Sequence, residues 1–314
     1  MGRTTRWILL GLFAWVLFSI LSLELGTANL DFNLAVQLRL PRILLATAVG
    51  AGLALAGMTL QSLFCNALCE PYTLGVSSGA AVGAVTASAL GIASGTGMTV
   101  SATLGALAFS AVLAAAAIWG KIRSHSLLLI GVMLGLLGSS IVALWMALAD
   151  PSGIQSALFW LLGDLSRGSL SEAIFALVIT VSLGAGLLFR SRTLDALLLG
   201  AEGAQSLGVS VRKAQARFIF ISSLLVAVCV GTAGMIGFVG LVLPHWARTR
   251  VGALHKYALP VAALWGANCL VVSDLICRLA FSPHEVPVGV VSAIWGAPLF
   301  VWILVRRRHS GGFA

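Results

Sequence analysis

Residue types that carry chemistry are sparse in this chain, and their spacing matches no known metal or catalytic motif. The five histidines are scattered, at His125, His245, His255, His284 and His309. Cys65 and Cys69 stand i, i+4 apart, which would allow both thiolates to reach one soft metal ion. However, the five cysteines include no CxxC pair, and packing as small apolar side chains is the simpler interpretation.

Sequence motifs for bond chemistry are also absent. The chain contains no GxxxxGK[ST] phosphate loop and no HExxH pair. It therefore lacks the residues with which proteins usually cradle ATP or hold a catalytic zinc ion. We expect no enzymatic activity and no cofactor in this chain itself.

Four charged residues interrupt otherwise apolar stretches. Arg39 and Arg42 are predicted to open a membrane span on its outer face, and Arg278 lies near the outer end of another. Asp274 precedes Arg278 by four residues, so the two can pair on one helix face. Because a charge near a span is costly, Asp274 should face a partner or a cavity. Arginines exposed on the outer side predict an acidic partner, lipid phosphate at minimum.

The background of these residues is that of an integral membrane protein. Of 314 residues, 59% are hydrophobic and 9% are charged, and the mean hydropathy is +1.04. A soluble domain carries roughly 25% charged residues. Since a span needs roughly 20 apolar residues, we predict an all-α protein with about ten spans, near 7–25, 42–62, 71–92, 98–119, 126–149, 170–190, 215–234, 236–250, 257–281 and 287–305.

Two of these segments carry further expectations. The eighth predicted span is short and is interrupted by Gly237, Gly240 and Pro244. The segment 151–168 is too short in its apolar part to cross, and we predict that it is an interfacial segment on the outer side. The whole chain, 1–314, is interpreted as one transmembrane domain.

Lysine and arginine positions set the predicted orientation. With ten spans and a cytoplasmic N-terminus, 15 of the 19 basic residues fall on the inner side, as the positive-inside rule requires. The outer side receives only Arg39, Arg42, Arg167 and Arg278. Both termini are therefore predicted to be cytoplasmic. The net charge of +9 reflects topology, and nucleic acid is not an expected partner.

The predicted cytoplasmic loop 191–213 has an amphipathic pattern. A helical stripe of small and aliphatic residues is formed by Leu194, Leu197, Leu198, Ala201 and Ala204. Such a helix either lies in the lipid interface or docks into a groove of a cytosolic protein. Spacing alone leaves both alternatives open.

Two polar, interrupted segments are predicted at the inner face. They are 61–71 and 237–245, and each follows an Ala-Gly-Met triplet, at 56–58 and 233–235. Paired Gly- or Pro-interrupted segments in two halves of a membrane protein indicate a transport path built from an inverted repeat.

Four long motifs resemble one transporter family. RLPRILLATAVGAGLALAGMTLQSLFCNALCEPYTLGVSSGAAVGA and GMIGFVGLVLPHWAR are similar to signature blocks of the iron-siderophore, haem and cobalamin ABC importer permeases. LGAEGAQSLGVSV resembles the family's cytoplasmic coupling loop, and VSDLICR with HEVPVGVVSAIWGAPLFVWIL resembles its last two spans. The resemblance covers nearly the whole chain in the right order, and it implies the inverted-repeat architecture of a type II ABC importer permease.

The resemblance implies roles for individual residues. It implies docking of a substrate-binding protein by Arg39, Arg42 and Arg278. It implies a cytoplasmic gate at Asn66, Leu68 and, by a looser alignment, Ser124 and His125. This chain has Asn-Ala-Leu where the family has Asn-Pro-Leu, and we expect the gate turn to be less rigid without the proline; a helix C-cap is the alternative role for Asn66. It implies that an ATPase contacts the loop through Leu197, Leu198, Glu202, Leu207, Gly208 and Val209.

The expected function is that of the permease subunit of a binding-protein-dependent importer for a large metal chelate. A ferric siderophore is the first expectation for the cargo, followed by haem or cobalamin. Expected partners are a second permease subunit, two cytosolic ATPase subunits that bind ATP and Mg²⁺, a periplasmic or lipid-anchored binding protein, and membrane lipid. The expected location is the inner membrane of a bacterium. The alternative is an ion-coupled secondary transporter that uses Asp274 as its coupling carboxylate.

Overall fold

A computed structural model describes residues 2–26, 32–92, 95–119, 124–166, 168–280 and 286–308. Arg167, His284 and His309 lie outside these ranges. Within them the chain forms thirteen α-helices and one 3-10 turn, and no strand is assigned. The prediction of an all-α protein is confirmed.

The helices follow one another along the chain with short connections. They are α1 (Arg3–Glu24), α2 (Phe32–Leu63), α3 (Val76–Ala89), α4 (Gly95–Trp119), α5 (Ser124–Leu148), α6 (Pro151–Leu161), α7 (Leu170–Phe189), α8 (Ser191–Leu197), α9 (Gly200–Ser206), α10 (Val211–Ala233), α11 (Val239–Val251), α12 (His255–Leu279) and α13 (Val288–Arg308). The 3-10 turn is Pro71–Leu74. Ten helices correspond to the ten predicted spans, α6 lies in the predicted interfacial segment, and α8 and α9 lie in the predicted cytoplasmic loop.

Seven of the described helices are long and apolar enough to cross a membrane: α1, α2, α4, α5, α7, α10 and α12. Two of the others are too short to cross as helices. With 14 and 13 residues, α3 and α11 are each about 20 Å long at 1.5 Å per residue. A hydrocarbon core is about 30 Å thick. The predicted third span, 71–92, is therefore corrected to a 3-10 turn followed by a short helix.

Helix α2 forms the centre of the bundle. Of its most apolar window, 83% is buried, against 22% for α5. It packs against α7, α10, α11 and α12. Small residues permit this close packing, as is common between membrane helices. At Gly57 the approach is closest, because an added Cβ would overlap the carbonyl oxygen of Gly240 on α11.

The start of α2 corrects a prediction. The apolar pattern predicts a span that begins near residue 42, but the helix begins at Phe32 and continues through Pro41. Arg39 and Arg42 therefore lie inside a helix and do not open one. A search for apolar segments finds only the part of a helix that matches the hydrocarbon core. It does not find the more polar residues with which α2 begins.

The two short helices begin in the interior of the bundle. A Cβ on Gly240, near the start of α11, would lie 2.8 Å from the Pro71 ring and 2.9 Å from the carbonyl oxygen of Leu53. Leu53 precedes the end of α2 at Leu63 by ten residues, or about 15 Å. The interrupted segments, predicted at the inner face, therefore reach about 15 Å along α2 from its end at Leu63, roughly a third of its length.

Side chains of one interrupted segment bind the backbone of the other. Glu70 Oε1 accepts from the backbone N–H of Phe238 at 2.7 Å. The Tyr72 hydroxyl lies 2.6 Å from both the nitrogen and the carbonyl oxygen of Ile236, accepting from the first and donating to the second. These bonds satisfy backbone groups that no helix serves, a requirement for irregular backbone inside a membrane protein.

We expect Gly57→Ala to destabilise the fold, because the added methyl group must push α2 away from α11. Overpacking of a close contact costs about 1–3 kcal/mol. The measurement is the thermal unfolding midpoint of the detergent-solubilised protein. Gly186→Ala is the matched control, since a Cβ at Gly186 on α7 meets nothing within 4 Å. Equal midpoints for the two variants would contradict the packing described.

Candidate functional site

The predicted docking arginines lie together at one end of the bundle. We call this the outer end, following the predicted orientation, and define it by Glu24, Arg42 and Arg278. Arg42 Nε lies 2.5 Å from Asp274 Oδ1, and Arg278 Nε lies 3.2 Å from Asp274 Oδ2. Arg278 also donates to the carbonyl oxygen of Ser22 at 3.2 Å and to the Ser22 hydroxyl. One carboxylate therefore ties α2 to α12, and Arg278 ties α12 to α1.

Arg39 makes a separate connection to α1. Its Nη1 donates to the carbonyl oxygens of Leu23 at 2.5 Å and Glu24 at 3.1 Å. These are among the last carbonyls of α1, which no residue further along the helix can serve. A cation at a helix C-terminus also interacts favourably with the helix dipole.

Burial changes how the three arginines can act. Arg39 is 9% exposed, Arg278 is 6% exposed and the Arg42 side chain is 11% exposed. Their guanidinium groups are engaged inside the chain. The docking role of Arg39, Arg42 and Arg278 stays a prediction, and any partner would meet the rim of this cluster and not three extended side chains.

The same cluster accounts for Asp274. Its carboxylate is 1% exposed and lies between two guanidinium groups. A coupling carboxylate must exchange an ion with water during each transport cycle, whereas this one is neutralised by buried cations. The ion-coupled alternative is therefore not favoured.

The predicted gate lies in a tight turn after α2. Asn66 N–H donates to Gln61 O at 3.0 Å, and Cys65, in the left-handed region at φ 48°, follows the last helical turn. This is the 6→1 closure of a helix C-terminus. The alternative role of Asn66 as the helix C-cap is therefore wrong, because Cys65 and not Asn66 occupies the left-handed position.

The Asn66 side chain has a different role in this turn. Its Oδ1 accepts from the backbone N–H of Leu68 at 2.9 Å. An asparagine that bonds the backbone two residues ahead fixes a local turn. This bond fixes the position of Leu68, which is 54% exposed. It does so in a turn where this chain has Ala67 and the family has the more rigid proline. Helix α5 begins at Ser124, but the side chains of Ser124 and His125 lie outside the described part of the structure.

The predicted coupling loop is two short helices and not one amphipathic helix. Leu198 and Leu199 separate α8 from α9, which begins at Gly200 in the left-handed region at φ 82°. Three residues of the predicted stripe, Leu194, Leu197 and Ala204, are buried against the chain's own helices. The apolar stripe therefore anchors the loop to the helix bundle and is not offered whole to lipid or to another protein.

The predicted coupling residues divide by exposure. Leu197 is buried, and Leu198 and Val209 are partly buried. These three residues therefore lie on the side of the loop that packs against the chain's own helices. Glu202, Leu207 and Gly208 are exposed, and Leu207 is 63% exposed. Gly208, at φ 78°, closes the end of α9. We call the end of the bundle opposite the arginine cluster the inner end. The surface presented there is that of α9 and its C-terminal turn.

The metal alternative for the cysteine pair finds no support in the described residues. Cys65 is exposed and its Sγ lies 3.2 Å from Leu197 O, whereas Cys69 is buried and its Sγ lies 3.6 Å from Thr73 Oγ1. The two sulfurs have different environments. No group of three or more His, Cys, Asp or Glu residues in the described ranges is arranged to hold a metal ion.

Sequence reasoning missed several polar residues that organise this region. Glu70 and Tyr72 hold the interrupted segments together, and Ser62, Asp195 and His255 meet at the inner end. The sequence gives little sign of these residues. Each is one polar residue beside an apolar stretch, and its partner lies at least 60 positions away in the chain.

We expect Asp274→Asn to be strongly destabilising. Two buried guanidinium groups would lose their shared counter-charge, and breaking a buried ion pair costs about 3–5 kcal/mol. The measurement is again the thermal unfolding midpoint in detergent. Asp150→Asn is the control, because Asp150 is an exposed carboxylate at the N-cap of α6. A midpoint for Asp274→Asn equal to that of the control would show that the cluster does not hold α1, α2 and α12 together.

Comparisons with known proteins agree with this geometry. The FecCD transport family model matches residues 8–306. The vitamin B12 import system permease protein BtuC of Vibrio cholerae is 39% identical over 285 residues, covering 90% of this chain and 86% of that protein. The hemin transport system permease protein HmuU of Yersinia pestis is 34% identical, covering 98% of each.

Solved structures agree as well. A metal-chelate type ABC transporter in an inward-facing conformation superposes with a TM-score of 0.88 at 33% identity, covering 96% of this chain and 99% of that one. PsaBC from Streptococcus pneumoniae matches with a TM-score of 0.57 at 18% identity, which concerns the fold alone. With its buried central helix, its paired half-length helices and a family match over nearly its whole length, this chain belongs to the FecCD transport family and is a multi-pass membrane permease of the ABC importer class.

Proposed function

We propose that this permease carries a bulky metal chelate into the cytoplasm and that ATP hydrolysis in a partner subunit drives it. The observation that carries the proposal is the surface of α9 at the inner end. Leu199 and Leu207 are 64% and 63% exposed on either side of the exposed Glu202. Leucines at a protein–water boundary are best explained by a protein groove that covers them.

The buried side of the same loop supports a coupling role. Leu194, Leu197 and Ala204 fix α8 and α9 against the membrane helices, so that a force applied to the exposed side reaches the bundle. ATP binding would draw two ATPase subunits together and move the docked loops, and the permease would change its accessible side in response. ATP and Mg²⁺ belong to the partner in this scheme, and the permease performs no bond chemistry.

The cargo class follows from the relatives. The two relatives above are named as import permeases for vitamin B12 and for hemin. Both compounds are large macrocyclic metal chelates. Their similarity to this chain favours a corrinoid or haem as the first cargo to test, ahead of the ferric siderophore that family frequency alone would put first.

A complete importer needs further subunits. A second permease copy or sister chain would complete the path, as the resemblance to the importer family implies. A substrate-binding protein would deliver the chelate to the outer end, where the rim of the arginine cluster offers a positive surface to acidic side chains.

The test is transport by the reconstituted complex. Purified permease and its co-expressed ATPase are placed in liposomes with the binding protein and offered cyanocobalamin, hemin and a ferric hydroxamate siderophore in turn. We expect uptake of one of these that requires internal ATP and persists with proton and sodium ionophores present. Uptake without the ATPase subunit, or uptake abolished by an ionophore, would contradict the proposal.

A matched pair of variants tests the docking surface. Leu207→Asp places a charge on the exposed face of α9, and it should abolish co-purification of the ATPase while leaving thermal stability unchanged. Leu90→Asp is the control, because Leu90 is 72% exposed at the opposite, outer end of the bundle. Retention of the ATPase by Leu207→Asp would show that this face is not the contact.

The gate is tested by passive leak. The double variant Asn66→Ala, Leu68→Ala removes the bond that fixes the turn and the side chain that the turn presents. We expect liposomes that contain it, loaded with the identified chelate, to lose cargo without ATP faster than wild type. The measurement is efflux over time, with Leu90→Asp as control. Identical sealing by wild type and the double variant would place the gate elsewhere.

A further inference from the structure

Four polar side chains from four helices form one connected network at the inner end, defined by Leu63, Ser191 and His255. Asp195 on α8 accepts through Oδ1 from the backbone N–H of His255 at 2.8 Å, and the same oxygen lies 2.6 Å from His255 Nδ1. His255 Nε2 lies 2.5 Å from the Oγ of Ser62 on α2. Arg248 on α11 donates to that Oγ at 2.9 Å. The loop helix α8 is thus joined to the last turn of α2.

The donors and acceptors give this network a direction. The Asp195 carboxylate only accepts, so His255 Nδ1 carries a hydrogen and, in the neutral ring, Nε2 accepts from the Ser62 hydroxyl. The Ser62 hydroxyl carries one hydrogen and has two neighbouring acceptors, Met58 O at 2.8 Å and His255 Nε2 at 2.5 Å. Arg248 therefore donates to Ser62 and His255 donates to Asp195, and the close Ser62–His255 contact joins the two halves of the network.

The order Asp, His, Ser is that of a hydrolase triad, but burial excludes catalysis. Ser62 and His255 are both 0% exposed. A triad serine must reach a substrate carbonyl, and no substrate can approach this hydroxyl. The network is consequently a connection between helices.

A second contact joins the same two elements. Cys65 Sγ donates to the carbonyl oxygen of Leu197, the last residue of α8, at 3.2 Å. Ser62 precedes Cys65 by three residues, and Asn66 follows it. Helix α8 therefore holds the end of α2 at two points beside the predicted gate turn.

The free-energy cost of breaking these buried hydrogen bonds allows the connection between α8, α2 and α12 to transmit movement. An unpaired buried polar group costs about 1–3 kcal/mol, so α8 cannot shift without either carrying the end of α2 and the start of α12 with it or breaking these bonds. The first N–H groups of α12 also have no side-chain cap of their own. Asp195 supplies one from another element, as an anion at a helix N-terminus.

We propose that the Asp195–His255–Ser62 chain, closed by Arg248, is the internal link by which the α8–α9 loop sets the position of the gate turn at Asn66 and Leu68. The inference rests on the proposed ATP-driven function. Asp195, His255 and Ser62 are positioning residues in it: none contacts cargo or nucleotide, and their role is to make hydrolysis productive.

The experiment measures cargo transported per ATP hydrolysed by the reconstituted complex. Ser62→Ala removes only the hydroxyl that connects α12 to α2, and Asp195→Asn removes the charge from a side chain that is 24% exposed. We expect each variant to lower the ratio at least about fivefold, the lower range of allosteric coupling factors. ATPase co-purification and the ATP hydrolysis rate should stay near wild type.

Two comparisons separate this link from a merely structural role. Ser110→Ala, which removes a buried hydroxyl bonded within α4 to Ala106 O, should leave the ratio unchanged. The double variant Ser62→Ala, Asp195→Asn should be no worse than the worse single variant, because both changes weaken the same chain of bonds. An unchanged ratio in both single variants, or a loss in Ser110→Ala of the same size, overturns the inference.

The outcomes also distinguish this inference from the proposed function. If wild type neither retains an ATPase nor transports with ATP, the proposed function has failed. If wild type transports with ATP and both single variants keep its ratio, the proposed function stands and the internal link is wrong.

Discussion

Inside a bilayer every backbone N–H and C=O group must find its partner within the protein, because lipid offers none. Long helices meet this requirement along most of the chain. The two interrupted segments cannot, since their backbone is not α-helical and yet it reaches into the bundle as far as Leu53 of α2. Glu70 and Tyr72 meet the requirement there by binding the backbone at Phe238 and Ile236. The short helices α3 and α11 can therefore begin in the interior, which long spans alone would not allow.

The same constraint governs charge. Arg39, Asp274 and Arg278 at the outer end are buried and Arg42 is partly buried. They persist because each guanidinium group binds a carboxylate, a carbonyl oxygen or a hydroxyl of another helix. At the inner end Arg248 is held by Gln61, Ser62 and Met58. The two polar clusters fix opposite ends of α2, the helix on which the packing of the bundle depends. The parts with fewer such bonds, α9 and Leu68, are the exposed ones, where the predicted partner contacts and gate lie.

This arrangement separates support from contact in the cytoplasmic loop. One side of α8 and α9 is buried and hydrogen-bonded to the bundle, and the other presents Leu199, Glu202 and Leu207. A loop that was flexible on both sides would absorb the movement of a docked subunit. A loop fixed on one side passes it on, to the turn that follows Ser62.

Composition, hydropathy and the distribution of basic residues were sufficient to predict a multi-pass helical protein, and four motifs were sufficient to predict its family. These features are local or cumulative, so one sequence contains them in full. The start of α2, the depth of the interrupted segments, the division of the coupling loop and the burial of Arg39, Arg42 and Arg278 were decided by the tertiary structure. Each depends on a partner far along the chain, such as Asp274 for Arg42 or Glu70 for Phe238, and the spacing within a segment carries no record of that partner.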